Sequence, residues 1–214
     1  MTADSFTLSE KGCTCLGDDY APFCDKSVSA GAKRLYVPSL DMPDKQIDGL
    51  IDYVLSSDAR LAVTCSQTLE SAGRIDARFA RSPVMLLYEF GLLERTAVIS
   101  GVFLDKDDLA LMAQERVPLV VLPSHDAGYG HGVAPICAAT ERGVRVFVGT
   151  GDGAHNPNRN VIYEAAVLGL LVSAQMNRQN AVSARELAKM CLPEPISGSQ
   201  IAKTEKRIKN VNII

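Results

Sequence analysis

Short aliphatic runs recur along this chain, at Leu61–Cys65, Thr96–Ser100, Pro118–Leu122 and Val144–Val148, and each is followed by a stretch with helical periodicity. Runs this short with hardly a polar residue are strands covered on both faces, and such strands belong to parallel sheets wrapped in helices. Lys33–Val37 adds a strand ahead of them. In the segment opened by Pro43, the apolar positions Ile47, Leu50, Ile51, Val54 and Leu55 form one stripe, which marks a helix packed on a sheet. Further helices are expected at Thr68–Phe79, at Ser82–Leu93 with Ser82 as N-cap and Pro83 behind it, and from Asp105 through an acidic first turn. Beyond these, Pro123–Gly132 reads as a glycine-bearing loop. Helices are expected at Ala134–Arg142, Val161–Met176 and Ser183–Cys191, with a loop over Gly149–Asn160 between the first two.

About five parallel strands with intervening helices admit two architectures, a segment of a closed (β/α) barrel or an open doubly wound sheet. A complete eight-stranded barrel takes ~250 residues, and the chain has 214. The expected organisation is an irregular arm over 1–30, an α/β unit over 31–192 and a tail over 193–214, because Pro193 and Pro195 end the regular pattern. The basic stretch Lys203–Lys209 reads as a solvated face of that tail.

The balance of 22 Lys and Arg against 25 Asp and Glu gives a net charge of -3, which supports neither a nucleic-acid nor an anionic-membrane partner. The N-terminal residues lack the basic flank and apolar run of a signal peptide, and Val161–Val172 is too short to span a bilayer. The expected location is therefore cytoplasmic. Cys65, Cys137 and Cys191 sit in apolar patterns and read as core residues of a reduced protein. Cys13, Cys15 and Cys24 cluster near the start, but a structural zinc site takes four ligands and no histidine occurs in the first hundred residues. They read as reduced thiols on an arm.

From about Gly31 to Cys191 the order of landmarks resembles the later half of the barrel in the amidohydrolase superfamily, in its cytosine-deaminase and chlorohydrolase-like branches. The resemblance is carried by Ser82-Pro-Val-Met-Leu-Leu-Tyr-Glu-Phe-Gly-Leu-Leu93, Val98-Ile-Ser-Gly-Val-Phe-Leu-Asp105, Asp108-Leu-Ala-Leu-Met-Ala113, Gly130-His-Gly-Val-Ala-Pro135, Gly143-Val-Arg-Val-Phe-Val-Gly-Thr150 and Ala184-Arg-Glu-Leu-Ala-Lys-Met-Cys191. It implies a partial TIM-like barrel and a metal-dependent hydrolase ancestry. It also implies ligands that this sequence lacks. The family's His-x-His strand has no counterpart here. A metal-binding histidine falls near Thr64, the neighbouring acid at Gln67 and the next strand's histidine at Ser100, while the final acid matches Asp152 after a one-residue shift. Zinc takes three or four N, O or S donors at ~2.0–2.3 Å, for which Thr, Gln and Ser are poor substitutes.

All three histidines nevertheless fall close together, at His125, His131 and His155. Parallel strands deliver the loops bearing His125 and Asp126, and Asp152 and His155, to one sheet edge, where such folds place active sites. His125, His131, Asp152 and His155 are therefore the candidate ligands for zinc, iron or manganese, and Asp152 and His125 the candidate acid/base pair. The alternative is that these Asp- and Gly-rich loops are turn formers whose carboxylates accept backbone amides. Gly149–Gly153 offers a weak phosphate cradle that lacks the P-loop lysine.

Three functions follow. The first is a non-catalytic or partner-dependent barrel subunit with a degenerate metal site, its open parallel edge covered by a homo- or hetero-oligomeric partner. The second is an active metal-dependent hydrolase or deaminase cleaving a C–N bond in a small cyclic or amide substrate. The third is an open-sheet binder of a phosphorylated small molecule.

Overall fold

The computed structural model describes residues 8–9, 12–13, 21–24, 29, 31–151, 154–192 and 197–211. A hairpin of two-residue strands, β1 (Leu8–Ser9) and β2 (Gly12–Cys13), stands apart from the main sheet. That sheet contains β3 (Ala21–Pro22), β4 (Arg34–Val37), β5 (Arg60–Cys65), β6 (Thr96–Ser100), β7 (Leu119–Val121) and β8 (Val146–Val148). The strands lie side by side in chain order and every pairing is parallel.

This order separates the two architectures left open by periodicity. A doubly wound sheet reverses its strand order at a switch point, whereas a barrel adds each strand to the same growing edge. Here the order never reverses, so the fold is a partial TIM-like barrel. The edge strand β3 was not expected, since two residues ending in Pro22 carry no period-two signal.

The helices are α1 (Asp44–Ser56), α2 (Leu69–Phe79), α3 (Pro83–Glu89), α4 (Lys106–Gln114), α5 (Pro123–Gly128), α6 (Ile136–Glu141), α7 (Val161–Gln175), α8 (Ala184–Met190) and α9 (Gly198–Lys209), with a 3-10 turn at Leu93–Arg95. Local chemistry sets most of their starts. Thr68 with Ser71, Asp105 with Asp108, Ser183 with Glu186 and Ser197 with Gln200 form capping boxes, and Ser82 and Asn160 accept backbone amides as single caps.

Two expectations change. Pro123–Gly128, read as loop, opens with a six-residue helix, because Pro123 fits the first helical turn. The segment read as a tail contains α9, which buries Ile201, Thr204 and Ile208 on one face while Lys203, Lys206, Arg207 and Lys209 stay exposed. Pro193 and Pro195 lie outside the described residues.

The core is continuous across the sheet. Leu35, Leu61, Val98 and Leu119, on successive strands, are fully buried, and each such side chain contributes about 1.5–3 kcal/mol. No helix among the described residues is long and apolar enough to cross a membrane.

Candidate functional site

The site lies at the C-terminal ends of β5 to β8. The chain leaves two of these strands through left-handed residues: Ser66 after β5 at φ 49°, and Ser100 closing β6 at φ 68° with Gly101 also at 68°. A serine held there is strained, and such strain concentrates at functional positions. The two bends are tied together by Gly101 N–H donating to the Cys65 carbonyl at 3.1 Å and Phe103 N–H to the Ser66 carbonyl at 2.8 Å.

After β7, Pro123 starts α5 and puts His125 and Asp126 in its first turns. His131 returns to them because its backbone N–H donates to the Asp126 carbonyl at 2.8 Å. Asp126 is 3% exposed, and both of its carboxylate oxygens are engaged. Gln67 Nε2 donates to Oδ1 at 2.8 Å and Ser100 Oγ donates to Oδ2 at 2.9 Å. His131 Nδ1 stands 3.3 Å from Oδ1. The residues at the family's acid and second-histidine positions therefore converge on one carboxylate from the next loop. Thr64, at the remaining strand-end position, instead shares a 3.0 Å hydrogen bond with the Tyr36 hydroxyl.

Glycines bring the following loop against this turn. A Cβ on Gly128 would collide with the His155 ring, and one on Gly151, which has φ 59°, would lie 2.9 Å from His125 Cβ. Exposed Tyr129 sits among the histidines, its ring centroid 4.8 Å from those of His125 and His155 and 5.8 Å from that of His131. Beneath them Glu164, fully buried on α7, accepts the Ser124 N–H at 2.9 Å, the Ser124 hydroxyl, and Asn156 Nδ2 at 2.9 Å. It clamps the start of α5 to the loop that carries His155. One buried hydroxyl, Thr150 Oγ1 just after β8, has no partner among the described residues.

The structure thus brings together part of the expected ligand set. Among the described residues, His125, Asp126 and His131 place ligand atoms within 4.8 Å of one another. His155 is exposed and stands outside that group. Asp152 lies outside the described residues, as do Gly153 of the phosphate-cradle reading and Cys15 of the N-terminal cysteine group. Glu164 and the roles of Gln67 and Ser100 escaped sequence reasoning. Glu164 carried one usable signal, a lone acid in the first turn of an otherwise apolar helix.

A singly wound parallel sheet with its polar cluster at the C-terminal strand ends defines the class as (β/α)-barrel proteins. No family model matches the chain. It is 31% identical over 112 residues to the 5-methylthioadenosine/S-adenosylhomocysteine deaminase of Thermococcus onnurineus, covering 52% of this chain and 26% of that protein. The same-named protein of Caldicellulosiruptor saccharolyticus is 26% identical over 145 residues, covering 67% of this chain and 34% of the relative. The chain spans about a quarter to a third of these relatives' length. Among solved structures, zinc-complexed atrazine chlorohydrolase from Arthrobacter aurescens superposes with TM-score 0.67 at 20% identity, covering 90% of this chain and 47% of that one. Zinc-bound adenosine deaminase from Xanthomonas campestris gives TM-score 0.63 at 19% identity, covering 73% and 38%. Sequence and fold together make this chain similar to amidohydrolase-type deaminases and hydrolases over part of their barrel.

Proposed function

We propose that this chain is a partner-dependent barrel subunit of the amidohydrolase lineage, in which the inherited strand-end ligand positions serve a hydrogen-bond network instead of an ion. One observation carries the reading: Gln67 and Ser100 both donate to Asp126. An amide N–H and a hydroxyl pointed at a carboxylate do not fit a cation at the inherited position, where donors must present lone pairs. Among the described residues the sheet runs from β3 to β8 without its two ends pairing, and parallel sheets left unclosed are normally completed or covered. A second copy of the chain or another protein supplies that cover.

A second reading is favoured by the His125–Asp126–His131 group and by relatives named as deaminases. It is an active hydrolase cleaving a C–N bond in a small cyclic or amide substrate, with Asp152 and His155 added from the next loop. A divalent ion held there would activate water and polarise the scissile bond. The chain's own residues would position the ion and hold substrate at the open face.

The deciding experiment assays the isolated chain, supplemented with zinc or manganese, against nucleoside, triazine and cyclic-amide substrates. The subunit reading predicts no turnover above background. Turnover by the chain alone that is lost in Asp126→Asn overturns it in favour of the hydrolase.

A further inference from the structure

We propose that the divalent-metal site of this chain has moved off the inherited strand ends onto the α5 turn, with His125, Asp126 and His131 as ligands and Gln67 and Ser100 as the groups that orient Asp126. This goes beyond the subunit reading and holds whether or not the chain turns over a substrate.

His131 Nδ1 lies 3.3 Å from Asp126 Oδ1. Two donors each about 2.0–2.2 Å from a tetrahedral ion stand about 3.4 Å apart. The pair is a hydrogen bond or ion pair as it stands, and the same spacing accommodates two ligands sharing a cation. The third donor, on His125, lies within the same 4.8 Å group.

Asp126 retains the capacity to bind. A carboxylate offers about four lone-pair sites, and Gln67 and Ser100 take one on each oxygen. Groups that grip a ligating carboxylate from behind fix its direction, and removing them weakens metal binding about 10–100-fold. Two nitrogen donors and one oxygen donor suit zinc, cobalt or nickel better than magnesium or calcium. The platform is held in place by the Glu164 clamp on Ser124. Gly151 comes close enough to His125 that a Cβ there would lie 2.9 Å from the His125 Cβ, which packs the following loop against the group.

The test titrates the full chain with Co²⁺ alone, read by its visible absorption, followed by displacement with Zn²⁺. One saturable equivalent is expected. His125→Ala, His131→Ala and Asp126→Asn should each weaken it at least tenfold. Gln67→Ala and Ser100→Ala should weaken it about 10–100-fold without changing the stoichiometry, and His155→Ala should leave it unchanged. A second readout needs no variant: Zn²⁺ should protect His125 and His131, and not His155, from diethylpyrocarbonate. Absence of saturable Co²⁺ uptake overturns the proposal, as does binding that survives His131→Ala but is lost in His155→Ala. Binding insensitive to both Gln67→Ala and Ser100→Ala overturns the orienting role.

Discussion

Replacing Glu164 with alanine should destabilise the protein more than any other single change around the site. The carboxyl is fully buried and accepts three donors: the Ser124 N–H, the Ser124 hydroxyl and the Asn156 amide. Asn156 is 5% exposed, so water does not readily replace the lost acceptor. An unpaired buried donor costs about 1–3 kcal/mol. The Ser124 hydroxyl is half-buried and free to rotate, and the Asn156 amide keeps its 3.1 Å bond to the Asn160 carbonyl, which leaves one N–H each of Ser124 and Asn156 stranded and a loss of about 3 kcal/mol. For a chain of this size each kcal/mol lowers Tm by about 2–4 °C, so Glu164→Ala should melt about 6–12 °C below the parent. Glu164→Gln keeps one acceptor oxygen and should lose about half as much. Urea denaturation followed by circular dichroism gives the energies, and hydrogen exchange should show faster opening at 123–128 and 156–160. A Glu164→Ala protein within about 0.5 kcal/mol of the parent, with both segments still protected, would refute the clamp.

Other outcomes follow from the same geometry. The Gln67–Asp126 hydrogen bond should appear in a Gln67→Ala, Asp126→Asn double-mutant cycle as a coupling of about 1 kcal/mol, measured by urea denaturation. Burial raises the carboxyl pKa of Asp108 above its ordinary value, against the opposing hydrogen bond from Ser82. The native state therefore holds that proton at higher pH than the unfolded chain does. Its stabilising effect is complete below the unfolded pKa of about 3.9 and fades as pH rises through the folded value. Asp108→Asn should flatten the pH dependence of the urea midpoint across that window, and parallel curves would contradict this. Burial, reinforced by Asp108, also pushes the Cys65 thiol well above its ordinary range, so iodoacetamide should leave Cys65 unlabelled until the protein unfolds.

The parallel α/β organisation was legible because it rests on local signals. The aliphatic runs became β5 to β8, and Ser82, Asp105 and Ser183 capped the helices expected of them. Strand order was not legible, since it is a long-range property that periodicity does not encode. Helix α9 was readable in principle from Ser197 and Gln200 three residues apart and from the Ile201, Thr204, Ile208 stripe, but the two prolines ahead of it read as an end. The site was visible only in pieces. His125, Asp126 and His131 stood out by residue type, while Gln67 and Ser100 registered only as absent ligands. Their partner lies 59 and 26 residues further along the chain, and no spacing rule links an amide to a carboxylate over that distance. Glu164 was hidden for the same reason, because its partners are set by how two loops pack over α7.

Multi-angle light scattering of the full chain, with and without a candidate partner, tests the account most directly. A barrel subunit completed by a neighbour should elute as a dimer or as a defined heteromeric complex. A stable monomer at every concentration, unchanged by the partner, would contradict it.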